Sequence, residues 1–144
     1  MKLNRPNRDI NVSLVNRLYI FSIRFESGME VVKIGKSSGK SSLDRMLQIQ
    51  RDYFNKYRCT FICRIVRDRE CEDVFKYETE LHRFFEKYQY KAKIPFDGST
   101  ELFCISDLVA REAYDYLTKE GLGALSDFVY DPEVYKEEVD ELPF

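Results

Sequence analysis

Two strand-like runs joined by a short polar turn, "RLYIFSI" and "EVVKIG", constrain this chain more than any other stretch. Leu18, Ile20 and Ser22 alternate along the first run, "EVVKI" is apolar almost throughout, and Glu26, Ser27 and Gly28 lie between them. Strand formers on both sides of a Gly-containing turn predict a β-hairpin. A lone hairpin is marginal in water, so the remaining elements must cover its apolar side chains.

Those elements can be read in order. A helix follows the hairpin, with Ser41 or Ser42 as N-cap and Leu43, Met46, Leu47, Gln50 and Phe54 on one stripe. A third strand is expected over residues 57–66 and a second helix over 70–88, where Val74, Tyr77, Leu81, Phe85 and Tyr88 recur at helical spacing. "KAKIPFDGST" reads as a loop and "ELFCI" as a short extended segment. Ser106 can cap a third helix that stops at Gly121. Asp131 and Pro132 then open an acidic terminal helix. The expectation is a small α+β domain: a three-stranded antiparallel sheet flanked by helices over residues 17–121, an N-terminal arm over 1–16, and an acidic extension over 122–144.

The 144 residues suit one such domain with tails. No apolar run has the length of a membrane span and "MKLNRPNRDI" is no secretory signal, which predicts a soluble, cytoplasmic protein. Reduced thiols are then expected for the four cysteines. Alternation places Cys59, Phe61, Cys63 and Ile65 on one strand face. A zinc site of Cys59, Cys63, Cys71 and His82 is conceivable, but without a CxxC pair core cysteines are the better reading.

"KIGKSSGKSS", following a strand, imitates a phosphate-binding P-loop. Gly35 and Gly39 enclose only Lys36, Ser37 and Ser38, one residue short of the pattern whose successive N–H groups converge on a phosphate. An NTPase is therefore disfavoured. The charge distribution points elsewhere: residues 1–69 hold 15 Lys and Arg against 6 Asp and Glu, whereas residues 70–144 hold 8 against 19. Such asymmetry suggests an anionic partner for the basic half, unless folding interleaves the halves and neutralises both.

The second helix carries the main anomaly. At 100° per residue, Glu78 falls beside Phe85 within the apolar face, while Glu80 falls among Arg83 and Lys87 on the solvated face. An inward carboxylate is costly unless paired or bound to a metal. The plain alternative is an edge position with a basic neighbour. His82, one turn beyond Glu78, can flank the same spot. As a lone histidine at a helix rim it is either a structural hydrogen-bonder or a catalytic group.

"LYIFSI", "VVKIGKS", "SLDRM", "YETELHRFF" and "STELF" occur in this order over most of the chain expected to fold. Together they resemble the GIY-YIG nuclease superfamily, in particular its phage-associated T5orf172/MUG113 branch. In that resemblance Tyr19 matches the tyrosine of the first motif and Lys33-Ile34-Gly35 the second, with Lys33 in place of its tyrosine. Arg45 matches the helix arginine and Glu78 the metal-binding glutamate, while the late asparagine of the superfamily has no counterpart after Asn55.

The resemblance implies a metal-dependent DNA endonuclease, a nickase unless the protein dimerises. Glu78 would hold one Mg²⁺ or Mn²⁺ as Lewis acid, with Glu101 a weaker second ligand. Arg45 would present its donor fork to phosphate oxygens, and Tyr19 would take a proton from water, aided by Lys33 two strands' width away. His82 would join this catalytic group. Gly35 would let the backbone approach DNA, and Lys36, Lys40 and Arg51 would meet phosphates without reading sequence. A phage or mobile-element origin, acting in the host cytoplasm, is what the likeness suggests. Two other readings stand beside it: a DNA-binding module that has lost catalysis, and an interaction or inhibitor protein working through its acidic half. In that half the tail over residues 127–144 reads first as a solvated helix, and otherwise as a docking element for a protein partner or a homodimer or as a lid that competes with DNA for the basic face.

Overall fold

The structure is a computed structural model that describes residues 15–129. Nearly all of the expected arm over residues 1–16, and the acidic helix expected from Asp131, lie outside the described residues. Strand β1 (Asn16–Arg24) and strand β2 (Glu30–Ser38) form the hairpin, closed by Phe25 N–H donating to the Met29 carbonyl and by Gly28, at φ +94°, donating to the Phe25 carbonyl. Helix α1 (Leu43–Tyr57), strand β3 (Ile62–Glu70), helix α2 (Val74–Phe84), strand β4 (Leu102–Phe103) and helix α3 (Asp107–Glu120) follow. The sheet is antiparallel with order β3-β1-β2-β4.

Four strands replace the expected three. β4 is only two residues long, too short to show periodicity, and it exists because it pairs with Val32 and Lys33 of β2. Its neighbours are held as well, Tyr90 donating to the Leu102 carbonyl at 2.8 Å and Cys104 to the Tyr88 carbonyl at 2.8 Å.

β1 is internal to the sheet and buried on both faces. Leu18, Ile20, Val32 and Ile34 face α2 and α3, packing with Val74, Leu81, Phe85, Ala113 and Leu117. Tyr19, Phe21, Ile23 and Val31 face the other way, toward Ile49 and Tyr53 of α1 and toward Phe61, Phe96 and Leu102. The Tyr114 hydroxyl donates to the Leu18 carbonyl at 2.7 Å, pinning α3 to the central strand.

Several expected boundaries move. α1 buries Ile49 and Tyr53, leaving Leu43, Leu47 and Phe54 exposed. Both stripes are apolar, and the one that wins carries Tyr53, whose ring stacks on Tyr57 and meets Phe96 edge-on. The helix runs on through Tyr57 to Arg58, a left-handed cap at φ 60°, so β3 begins five residues later than expected and reaches Glu70. α2 accordingly starts at Val74, and after Phe84 a single 3-10 turn covers Glu86–Tyr88. α3 begins at Ser106, whose side chain accepts from Val109 N, and ends at Gly121, both as expected.

Cys59 and Cys63 are half-buried against the Tyr19–Phe21 cluster, whereas Ile65 is exposed beyond a register shift between Ile20 and Phe21. Glu80, expected to be solvated, accepts from the backbone N–H groups of Gly123 and Leu125 at 2.8 and 3.2 Å and ties down the segment after α3.

Candidate functional site

The edge of β2 explains where polar groups gather. β4 covers that edge only as far as Lys33, and just beyond it the Ile34 carbonyl accepts a 2.7 Å hydrogen bond from His82 Nε2. A carbonyl only accepts, so this nitrogen carries the proton. The bond fixes the imidazole one turn from Glu78, whose Oε2 lies 4.0 Å from Nε2.

Tyr19 and Lys33 share the opposite face of the hairpin, as their cross-strand partners Gly35 and Phe21 require. Both are fully buried, and Lys33 Nζ donates to the Tyr19 hydroxyl at 2.9 Å. The lysine is thus on the adjacent strand and in direct contact, closer than the two strands' width expected. Its other partner is Glu101 Oε1 at 2.5 Å, from the 3-10 turn Ser99–Glu101 that leads into β4. A buried ammonium is tolerable because a carboxylate and a hydroxyl both face it.

Two glycines make room for this contact. A Cβ on Gly35 would lie 2.4 Å from the Tyr19 hydroxyl oxygen and 2.9 Å from Lys33 Nζ. On Gly98, at φ +83°, it would lie 2.5 Å from Lys33 Cε. Gly35 therefore has a reason inside the fold that the sequence did not suggest: it seats the tyrosine and the lysine of its own chain.

Glu78 is 5% exposed, which places the anomalous carboxylate inside. Its Oε1 accepts from Lys36 Nζ at 3.3 Å, while Oε2 is buried without a hydrogen-bond partner. Burial, and then the nearby charge of Glu101, push the Glu78 pKa up. Glu101 moves the other way: burial raises it, but the charge and hydrogen bond of Lys33 outweigh that and hold it low. One ligand atom each from Glu78, His82 and Glu101 lie within 4.8 Å of one another, and no cysteine joins the cluster.

The donor set suits a hard divalent cation. An orphaned buried carboxylate oxygen beside a second carboxylate offers the oxygen ligands that Mg²⁺ or Mn²⁺ takes. His82 Nε2–H is given to Ile34, which leaves the two carboxylates as the groups that could offer oxygen to a cation.

Arg45 lies beside Tyr19 and is held by a further carboxylate. Its guanidinium forms a two-pronged pair with Asp97 at 2.7 and 3.0 Å, which raises the Arg45 pKa, helped by the Tyr19 side chain, and lowers that of Asp97. Lys40 and Arg51 are exposed, whereas Lys36 is drawn to Glu78. The structure thus brings Tyr19, Lys33, Glu78, His82 and Lys36 around one strand edge, with Gly35 beneath. It leaves Lys40 and Arg51 outside that cluster.

Glu101 has a larger share in the site than expected, and Asp97 and Gly98 were not foreseen. The only trace of them in the sequence is "FDGST", where Asp-Gly marks a turn without saying what the turn packs against.

Comparison with curated proteins and with solved structures gives no match to the chain. The profile of the T5orf172 domain matches residues 16–118, from the start of β1 into the last turn of α3, and so spans every element that carries the cluster. The chain therefore belongs to the T5orf172 domain family.

Proposed function

We propose that the protein is a metal-dependent DNA endonuclease whose centre lies at the β2 edge. The observation that carries this reading is the buried Oε2 of Glu78, which accepts from no donor, beside a second carboxylate, Glu101, that is itself bonded to the Lys33–Tyr19 pair. A fold that keeps such an oxygen unsatisfied bears a cost of about 1–3 kcal/mol, which a bound cation would remove.

Glu78 and Glu101 would hold Mg²⁺ or Mn²⁺, which when bound supplies Lewis-acid polarisation of a phosphodiester. Tyr19 would take a proton from the attacking water on its hydroxyl oxygen, which Lys33 Nζ holds in position by a 2.9 Å hydrogen bond. Lys33 is held on station by Glu101, and His82 keeps α2 registered on the strand edge through Ile34. Arg45 would offer its guanidinium to phosphate oxygens by exchanging the Asp97 carboxylate for them. DNA is the proposed partner, a single centre nicks one strand, and a second copy would be needed for a double cut.

A second reading, a DNA-binding module without catalysis, has two observations in its favour. The Arg45 fork is already filled by Asp97, and Tyr19 has no exposed surface through which water meets it. The third reading, action through the acidic half, is weakened because Asp107 and Asp115 of that half are engaged by Arg64, Arg67 and Arg69.

The test is incubation of supercoiled plasmid with Mg²⁺, Mn²⁺ or EDTA, comparing wild type with Glu78→Gln, alongside the thermal midpoint of each with and without the ions. Metal-dependent nicking and a metal-induced rise in Tm, both lost in the variant, support the endonuclease. DNA binding without cutting in any ion transfers the conclusion to the binding module.

A further inference from the structure

We propose that Phe75 stacks on a nucleobase flanking the phosphate at Glu78, and so directs the site to single-stranded or locally unpaired DNA. The inference rests on the DNA-directed reading above and adds the strand state of the substrate.

Phe75 is 67% exposed in the first turn of α2, and neither core cluster includes it. Single exposed apolar side chains are ordinary. What distinguishes this one is its position. It lies three residues before Glu78, and neighbours at that helical spacing share one side. Its ring centroid is 5.5 Å from Lys36 Nζ, and that same Nζ is 3.3 Å from Glu78 Oε1. Aromatic face, ammonium and buried carboxylate therefore form one continuous run from solvent into the cluster.

Each part of that run matches a part of one nucleotide. An aromatic face accepts any base, because every base has a π-face, and a lysine beside it meets the adjoining phosphate. In an intact duplex the faces of a base are covered by its neighbours in the stack, so a protruding phenyl ring has nothing to lie on. An unpaired strand presents those faces freely. Phe54, also exposed among the described residues at 43%, lies on α1 and not on the helix that carries Glu78.

The experiment measures binding of a fluorescently labelled DNA oligonucleotide of mixed sequence, single-stranded and as its duplex, in calcium to prevent turnover. Wild type is compared with Phe75→Ala, Phe75→Leu and Phe75→Tyr, with Tm as the control for folding. The expected result is a roughly tenfold loss of single-strand affinity in the Ala and Leu variants, retention in Tyr, and unchanged duplex affinity in all. Leu binding as well as wild type would mean that apolar bulk suffices and would overturn the stacking. An equal loss on duplex, or no loss on either substrate, would overturn the proposal while leaving the DNA-directed reading in place. Wild type that binds neither form overturns that reading and this inference with it.

Discussion

Lys33 has no exposed surface, whereas the side chain of its partner Glu101 keeps 26% of its own. The two ends of this ion pair are therefore unequal. Glu101→Gln strands an ammonium in the core opposite a neutral amide, while Lys33→Met removes the buried charge and leaves a carboxylate that can turn toward water. We expect the first change to cost about 2–3 kcal/mol and the second less than about 1 kcal/mol, read by urea unfolding of metal-free protein. Equal costs would show that solvent reaches Lys33. Gly35 admits a similarly local prediction. The added methyl of Gly35→Ala meets the Tyr19 ring, which cannot withdraw because it stacks on Phe21 at a centroid distance of 4.0 Å. Overpacking of this kind costs about 1–3 kcal/mol, so Tm should fall by several degrees; an unchanged Tm would mean the ring has room to move. Of these residues Tyr19, Lys33 and Gly35 stood out in the sequence as parts of motifs. The reason for Gly35 did not, because a Cβ clash belongs to two strands in register and cannot be read from one.

Helix α3 shows how elements settle against one another. Asp115 receives Arg67 at 2.8 and 2.9 Å and Arg69 at 3.2 Å, joining the helix to β3 at the sheet edge. The hydrogen bonds from Arg67 hold the Asp115 pKa below its usual value. A carboxylate depressed in the fold adds stability above its unfolded pKa, and that stability is lost as the pH falls through the folded value. Asp115→Asn should therefore lower Tm most at neutral pH, and the gap should close as acid protonates the wild-type side chain. A gap that stays constant with pH would point to lost packing instead. The periodicity of α2 was legible, and Glu78 stood out in it because one carboxylate broke an apolar face. α1 was not, since apolar residues surround that helix and only the aromatic partners Phe61 and Phe96, distant in sequence, decide which stripe is buried. β4 was hidden for the opposite reason, as two residues carry no period at all.

Among the described residues, part of the charge asymmetry is paired across the two halves. Arg64, Arg67 and Arg69 of the basic half pair with Asp107 and Asp115 of the acidic half, while Arg17 pairs with Asp68 inside its own half. Arg17 and Arg67, with side chains 13% and 25% exposed, are the most enclosed of these and tie their strands to their partners. Lys40 and Arg51 are exposed. DNA affinity should accordingly fall with salt along a shallow slope, which Lys40→Ala and Arg51→Ala each reduce by about 1. Arg67→Ala should lower Tm and leave that slope unchanged. A fluorescence-anisotropy salt titration of the three variants separates the two groups, and a reduced slope in Arg67→Ala would count against the division. Among the described residues no helix is long and apolar enough to cross a membrane.

By itself the sequence determined the hairpin, the α+β class, the caps of α3, the inward carboxylate and the family. Each is encoded locally, in alternation, helical period, a capping serine or a short motif. Tertiary structure alone decided the fourth strand, the face that α1 buries, the Lys33–Glu101 contact, the glycine cradle and the Arg45–Asp97 pair. Those depend on residues brought together from far along the chain, where packing volume and the need to pair every buried charge choose among partners that no local pattern ranks.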